Sequence, residues 1–285
     1  MPPNWIGDVI MAQPAIVAIA EHYQKQFEQC RITICGRGWL KDLLPWLNIQ
    51  AAEYAETIPT ADTAYLFPNS FRAAWSCRKA GIKNIIGYRG QWRSALLSRA
   101  LPHRIDISRE HHRGFHLDLA IQTGISVESD QVTLSIPSNA RQAGETLISN
   151  HGLNPTQVLC IAPGAQFGGA KCYPANGFKT CIQTLAEAGW QPIILGMKED
   201  RDVAGIILKE LQTPYWNATG ETSLSEVLQL ISASKLMLCN DSGLMHAAAG
   251  LGIPTVTPFG ATDPQHTSPS GPKVEILYQP APCSP

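Results

Sequence analysis

The sequence predicts an α/β protein with parallel sheets arranged in two doubly wound domains. Three observations point there. Short apolar runs of strand character alternate with helical periodicity along most of the chain, the pattern of repeated βα units. Two of those strands, ending at Ala162 and Cys239, run through glycine-containing turns straight into helices. The chain has 285 residues, which is long for one domain and comfortable for two.

The elements follow in order. Val9 to Phe27 carries Val9, Ile10, Ala12, Ile16, Val17, Ile19 and Ala20 at helical spacing. Arg31 to Cys35 is a strand closed by Gly36, and Ala64 to Phe67 is another, closed by Pro68-Asn69-Ser70. Phe71 to Ala80 reads as a helix and Asn84 to Gly87 as a short strand. Trp92 to Leu101 and Phe115 to Thr123 read as helices. Gly124 to Pro137 lacks periodicity and is the expected crossover, giving domains 1–130 and 131–285. In the second domain, strands are expected at Val158–Ala162, Pro192–Leu195, Lys235–Cys239, Thr255–Pro258 and Val274–Leu277. Helices are expected at Asn139–Asn150, Ala175–Ala188, Asp200–Leu211 and Ser223–Ala233, and the tail from Gln279 reads as irregular.

Composition narrows the function. The chain is 44% hydrophobic and 16% charged, with a net charge of -1, which gives no basic surface for nucleic acid as main partner. No run reaches membrane-spanning length, and the start Met1-Pro2-Pro3-Asn4-Trp5 lacks the regions of a signal peptide, so a cytoplasmic place is expected. The eight cysteines form no Cys-x-x-Cys pair, and no metal site is expected from the His and Cys spacing. Cys160 and Cys239 fall within strands and read as reduced core residues.

The chemistry concentrates at two strand–turn–helix junctions. After Cys239 come Asn240-Asp241-Ser242-Gly243 and then a helix from Leu244 to Leu251. Unpaired N–H groups and the positive end of the helix dipole meet there, which suits an anion. Ser242 can donate a hydroxyl to phosphate, and Gly243 admits a ligand close to the backbone. Asp241 would repel phosphate, so it either takes ribose hydroxyls or caps the helix. After Ala162, Pro163-Gly164-Ala165-Gln166-Phe167-Gly168-Gly169-Ala170-Lys171 offers glycines and one lysine before Pro174, expected at the first helical position. That composition suits a loop around phosphates neutralised by Lys171. The spacing matches neither the classical phosphate loop nor the dinucleotide fingerprint. At the amino end Gly7 permits a tight turn, and Asp8 sits at or near a helix cap. Asp8 is either the cap alone or a carboxylate facing an interdomain cleft, able to accept a proton from an attacking hydroxyl.

Taken together, Pro3 to Pro14, Pro68-Asn69-Ser70-Phe71, Gly87-Tyr88-Arg89-Gly90, Pro163 to Lys171, Asn240 to His246 and Phe259-Gly260-Ala261-Thr262-Asp263-Pro264 resemble the ADP-heptose:lipopolysaccharide heptosyltransferases, most of all type II. The resemblance implies a GT-B fold, two doubly wound, Rossmann-like domains facing a cleft. The amino-terminal domain would bind acceptor and the carboxyl-terminal one the nucleotide sugar. It implies inverting, metal-independent transfer from ADP-heptose to the first heptose of the lipopolysaccharide inner core, heptosyl-Kdo-lipid A, at the inner membrane surface, with no cofactor. By the same resemblance Asp8 is the general base. Lys171, Asp241, Ser242, Gly243 and His246 bind donor, Asp200 holds ribose or sugar hydroxyls, and Arg89 and Arg93 are candidates for anionic acceptor groups. The bare alternative for both arginines is a solvated surface position. The family pattern also has a strand ahead of Asn4, a longer stretch between Leu47 and Ala64, and a helix beyond Pro285. On that comparison the strands Arg31–Cys35 and Ala64–Phe67 would each keep an unpaired side. Two other readings share the fold: a nucleotide-sugar epimerase, against which the Asn4-to-Pro14 motif argues, and a protein that binds ADP-sugar without turnover.

Overall fold

The computed structural model describes residues 1–106, 109–165 and 171–279. The chain divides into two units, Met1–Thr133 and Leu134–Pro285.

The first unit opens with α1 (Ile6–Gln26), which begins three residues before its expected start. Trp5 is its N-cap, so Asp8 lies inside the first turn rather than at the cap. An acidic side chain is favoured there by the helix dipole. β1 (Ile32–Cys35), α2 (Leu40–Leu43) and β2 (Ala52–Ala55) follow, then β3 (Thr63–Leu66), α3 (Phe71–Lys79), β4 (Asn84–Tyr88), β5 (Arg99–Leu101) and α4 (His112–Ile121). β1 pairs with β2, and β3-β4-β5 form a second sheet, all parallel. The expected helix Trp92–Leu101 is instead a 3₁₀ turn at Arg93–Leu96 followed by β5. Gln91 and Trp92 have φ of 48° and 60°, left-handed values outside the helical region, so no helix includes them. Arg99 to Leu101 gain ladder partners on β4 that local periodicity does not show. β2 was likewise unexpected, lying in the stretch between Leu47 and Ala64.

The second unit is the more regular. It comprises α5 (Ala140–Asn150), β6 (Val158–Ala162), α6 (Ala175–Glu187), β7 (Gln191–Ile194), α7 (Arg201–Leu208), β8 (Trp216–Asn217), α8 (Leu224–Ala233), β9 (Leu236–Cys239), α9 (Gly243–Gly250), β10 (Thr255–Phe259), α10 (Pro264–Thr267) and β11 (Val274–Tyr278). Of these only β8 and α10 were unexpected, being two and four residues long. Pro174 is the N-cap of α6 rather than its first residue. Six parallel strands run in the order β8-β7-β6-β9-β10-β11. Every residue of β6 is buried. Its alternate side chains feed two cores: Val158, Cys160 and Ala162 pack on one face, Leu159 and Ile161 on the other. Cys160 and Cys239 are buried free thiols, as expected for core residues.

His116 in α4 is a buried imidazole beside Phe67 and Phe115, and its Nδ1 has no hydrogen-bond partner among the described residues. Burial, with His112 and His111 adding repulsion, lowers its pKa from 6.5 to about 3. The unfolded chain therefore takes this proton at a higher pH than the folded one does. The stability that the neutral ring contributes is complete above about pH 7. It is lost as pH falls from about 6.5 towards 3, at up to about 1.4 kcal/mol per pH unit. Denaturant unfolding at several pH values should show His116→Phe flattening this slope, whatever its absolute stability. An unchanged slope would assign the acid sensitivity to other groups.

Candidate functional site

In the six-stranded sheet β6 stands in the middle, and later strands add first on one side and then on the other. The direction reverses between β6 and β9, the kind of switch point at whose carboxyl ends open parallel sheets bind their ligands. Described residues of three loops reach this end: 163–165 and 171–174 after β6, 240–242 after β9 and 260–263 after β10.

Asn240 joins the first two loops. It is fully buried; its Nδ2 donates to the Pro163 carbonyl at 2.6 Å and its Oδ1 accepts the Tyr173 N–H at 2.9 Å. Its own N–H reaches the Ala162 carbonyl at 3.1 Å, extending the β6–β9 ladder by one step. Asp241, next in the chain, is 7% exposed. Its Oδ2 accepts from Lys171 Nζ at 2.7 Å and from the Thr262 hydroxyl at 2.8 Å. All three loops thus meet at one carboxylate oxygen. Asp241 does not cap α9. Ser242 is the N-cap, with extended backbone (φ −148°, ψ 170°), and its side chain makes no capping bond. The Ser242 Oγ is buried and without a hydrogen-bond partner among the described residues. A helix amino end therefore begins beside the Lys171–Asp241 pair, with the first N–H groups lacking intrahelical acceptors. Gly243 is the first helical residue, and His246 is buried one turn further on. The loop glycines Gly168 and Gly169 lie outside the described residues.

Asp200 ends a 3₁₀ turn after β7, and its Oδ2 accepts the Met197 N–H at 2.8 Å. It sits tightly against two glycines. A Cβ on Gly164 would fall 2.4 Å, and one on Gly196 2.6 Å, from the Asp200 carboxylate. Those distances are below van der Waals contact, so the absence of side chains at both turns lets the carboxylate lie at the root of the 163–174 loop.

In the first unit Asp8 is half-buried in the opening turn of α1. Arg89 is exposed just after β4, with its backbone N–H held by the Leu101 carbonyl at 2.8 Å. Arg93 is not a surface residue. It is fully buried; its Nε donates to the Tyr88 carbonyl at 2.8 Å and its Nη1 donates to the Pro68 carbonyl. It fastens the loop after β4 to the loop after β3. Residue type and spacing did not reveal this, because the two carbonyls lie on other strands' ends. Thr262 and Asn240 also escaped notice as site residues. Thr262 stood within a quoted motif, and Asn240 read only as a turn former. The sole signal was their position directly after predicted strands, where parallel sheets place their sites.

These parallel α/β units have the fold of the GT-B glycosyltransferases. The chain belongs to glycosyltransferase family 9, the heptosyltransferases, whose family model matches residues 57–285. It is 28% identical to lipopolysaccharide heptosyltransferase 2 of Escherichia coli K12 over 312 aligned positions, covering 96% of this chain and 86% of that protein. Similarity to lipooligosaccharide heptosyltransferase 2 of Haemophilus influenzae is 26% with the same coverage. The solved structure of E. coli ADP-heptose lipopolysaccharide heptosyltransferase II superposes with a TM-score of 0.80 and 27% identity, covering 98% of this chain and 91% of that one. An E. coli heptosyltransferase determined with ADP shares the fold at a TM-score of 0.74 and 15% identity, covering 96% of this chain and 91% of the other. No helix among the described residues is long and apolar enough to cross a membrane.

Asn240→Ala should leave the Pro163 carbonyl and the Tyr173 N–H unpaired inside the second unit. A loss of about 1–3 kcal/mol per buried group follows, with the loops after β6 and β9 loosened. Urea unfolding together with amide exchange at Tyr173 measures this. Unchanged stability and unchanged Tyr173 exchange would show the bonds to be dispensable.

Proposed function

We propose that this protein transfers heptose from ADP-L-glycero-D-manno-heptose to the first heptose of the lipopolysaccharide inner core, inverting the anomeric centre and using no metal. The observation that carries the reading is the Lys171–Asp241–Thr262 cluster beside the amino end of α9, at the switch point of the second unit's sheet. The names of the relatives, heptosyltransferases 2 of lipopolysaccharide and lipooligosaccharide, support heptose transfer to such a glycolipid, and the ADP-heptose in the name of the E. coli structure supports the donor. The first unit, with Arg89 exposed after β4, is the acceptor half, and the second is the donor half. The acceptor lipid is met from the cytoplasmic side, by a protein that lies on the membrane surface rather than through it.

In the reaction an acceptor hydroxyl oxygen attacks the anomeric carbon and the bond from that carbon to the β-phosphate oxygen breaks. The hydroxyl proton passes to the Asp8 carboxylate, and the departing pair of electrons stays on ADP. Lys171 and the α9 amino end stabilise the growing charge on the diphosphate. The Ser242 hydroxyl donates to a phosphate oxygen, and Gly243 lets the diphosphate approach the backbone. Asp241 takes sugar or ribose hydroxyls, oriented by the donors on its Oδ2. His246 supports the turn from within α9. Asp200 takes ribose hydroxyls beside Gly164. Arg89 meets anionic groups of the acceptor, and Arg93 sets the loops that present Arg89.

Incubation with ADP-heptose and purified heptosyl-Kdo-lipid A, followed by mass spectrometry, should show the addition of one heptose and release of ADP. Failure with this pair, alongside transfer from another nucleotide sugar, would overturn the donor assignment. Asp8→Asn should keep ADP affinity and lose about 10²–10⁴-fold in turnover, the usual contribution of a positioned base. A loss of less than tenfold would reduce Asp8 to a helix-stabilising charge. Lys171→Ala should weaken ADP binding by about 1.5–3 kcal/mol, read by calorimetry on a variant shown to be folded by circular dichroism. Full ADP affinity in that variant would place the diphosphate elsewhere. Thr262→Val should raise KM for the donor several-fold with the Lys171 contact intact, because it frees one side of Asp241.

A further inference from the structure

Charge is segregated along this chain. Residues 63–105 hold eight arginines and lysines and no acidic residue, in a chain whose net charge is -1. The sheet β3-β4-β5 lies within that stretch, and its parallel strands send the loops that follow them to one edge. Phe71 and Arg72 stand there after β3, Arg89 and Trp92 after β4, and Arg104 after β5. All five are exposed, and neither Arg72 nor Arg104 forms an ion pair among the described residues.

Core packing does not account for the aromatic side chains. α3 buries its small residues Ala73, Ala74 and Cys77 and turns Phe71 and Trp75 outward, 45% and 53% exposed, with their ring centroids stacked 6.4 Å apart. Trp92 is 95% exposed on a left-handed backbone, φ 60°, which is strained for a bulky residue. The loops that carry these groups are tied together. Arg93 donates to the carbonyls of both Tyr88 and Pro68, and His103 Nε2 donates to the Arg89 carbonyl at 3.0 Å. A stiff edge of the first unit thus presents three large aromatic side chains beside unpaired cations.

We propose that this edge docks on the surface of an anionic bilayer. Phe71, Trp75 and Trp92 enter the boundary between headgroups and acyl chains, and Arg72 and Arg104 meet lipid phosphates. That boundary suits tryptophan, whose ring is apolar while its indole N–H still finds a polar partner. An arginine beside an anionic leaflet strengthens binding about fivefold. Duplex nucleic acid would satisfy the cations but leave the aromatic rings in water, whereas a bilayer takes up both. Arg89, between the two cationic contacts, stays with the acceptor. Docking of this kind rests on the reading above in that the acceptor is a lipid, and adds to it the face that meets the membrane.

The 285-residue chain is sedimented with vesicles of phosphatidylglycerol and phosphatidylethanolamine, and separately with vesicles of phosphatidylcholine, none containing acceptor. It should bind the anionic vesicles at least about tenfold more tightly, and lose most of that preference between about 50 and 500 mM salt. Arg72→Gln with Arg104→Gln should weaken anionic binding about 25-fold, from two cations at about fivefold each. Trp75→Ser with Trp92→Ser should weaken it at least about tenfold and leave the circular dichroism and melting midpoint in place, because both side chains are exposed. Lipids brominated high on the acyl chain should quench tryptophan fluorescence of the parent chain and quench that double variant less. Equal binding to neutral and anionic vesicles, no binding to either, or full binding by both double variants overturns the proposal. So does tighter binding to duplex DNA than to anionic vesicles at the same salt, or light scattering that shows a dimer broken by the two tryptophan changes. Heptose transfer to an acceptor freed of its acyl chains is followed separately, and the Trp75→Ser, Trp92→Ser variant should retain it. Vesicle binding without transfer would strike the reaction and sustain the docking, and transfer without vesicle binding would do the reverse.

Discussion

The arrangement of the second unit's site depends on the side chain of Asn240. A turn after one strand and a loop after its neighbour have no helical or sheet bonds to hold them together, and both carry backbone groups that burial would leave unpaired. Asn240 supplies a donor and an acceptor on one planar amide, matched to the Pro163 carbonyl and the Tyr173 N–H. Aspartate, isosteric but ionised, could accept from Tyr173 yet could not donate to Pro163. Fixing these two loops in turn fixes the separation of Lys171 from Asp241, residues 70 positions apart in sequence. The six-stranded order brings the loops near each other, and Asn240 sets their register at atomic scale.

The first unit uses a cation for the corresponding task. Arg93 spans the loops after β3 and β4 by donating to two main-chain carbonyls, and burial lowers its pKa to about 10. A guanidinium can serve two carbonyls from one planar fork, which a lysine ammonium cannot do with the same geometry. The Tyr88 hydroxyl shares its one proton between Asp118 Oδ2 at 2.9 Å and the Phe115 carbonyl at 2.7 Å, and its ring stacks with His103 and Phe115. The exposed Arg89 is therefore carried on a rigid base. Such rigidity would suit the acceptor-positioning role proposed for Arg89, since misplacement of about 1 Å can cost a hundredfold in rate.

The pattern of legibility in the sequence follows from which interactions are local. Long helices and fully buried strands announced themselves, because periodicity and apolar runs are properties of consecutive residues. The second unit was read almost element by element for that reason. β2, β5 and β8 were not, because Ala52–Ala55, Arg99–Leu101 and Trp216–Asn217 hold no apolar run and owe their existence to a ladder partner. The site divided the same way. Lys171 and the turn 240–243 stood out as strand–turn–helix junctions. Thr262 was silent because its meaning lies in a bond to a residue 21 positions earlier, and Arg93 misled because sequence alone cannot show that a guanidinium is enclosed.

One difficulty raised by the sequence is resolved by the geometry. A carboxylate at Asp241 beside a phosphate-binding turn should repel its ligand. Yet Asp241 is paired with Lys171, and both its donors fall on Oδ2, so the cluster of the two side chains carries no net charge. On the proposed reading an arriving diphosphate would meet the amino end of α9 and the Ser242 hydroxyl, and would share Lys171 with Asp241. Charge building on a departing ADP would draw Lys171 towards it, while the Thr262 hydroxyl still holds the Asp241 carboxylate. A contact that strengthens as the bond to the sugar breaks lowers the barrier, so the pairing of Lys171 with Asp241 would set how much of the lysine's charge is left for the departing group.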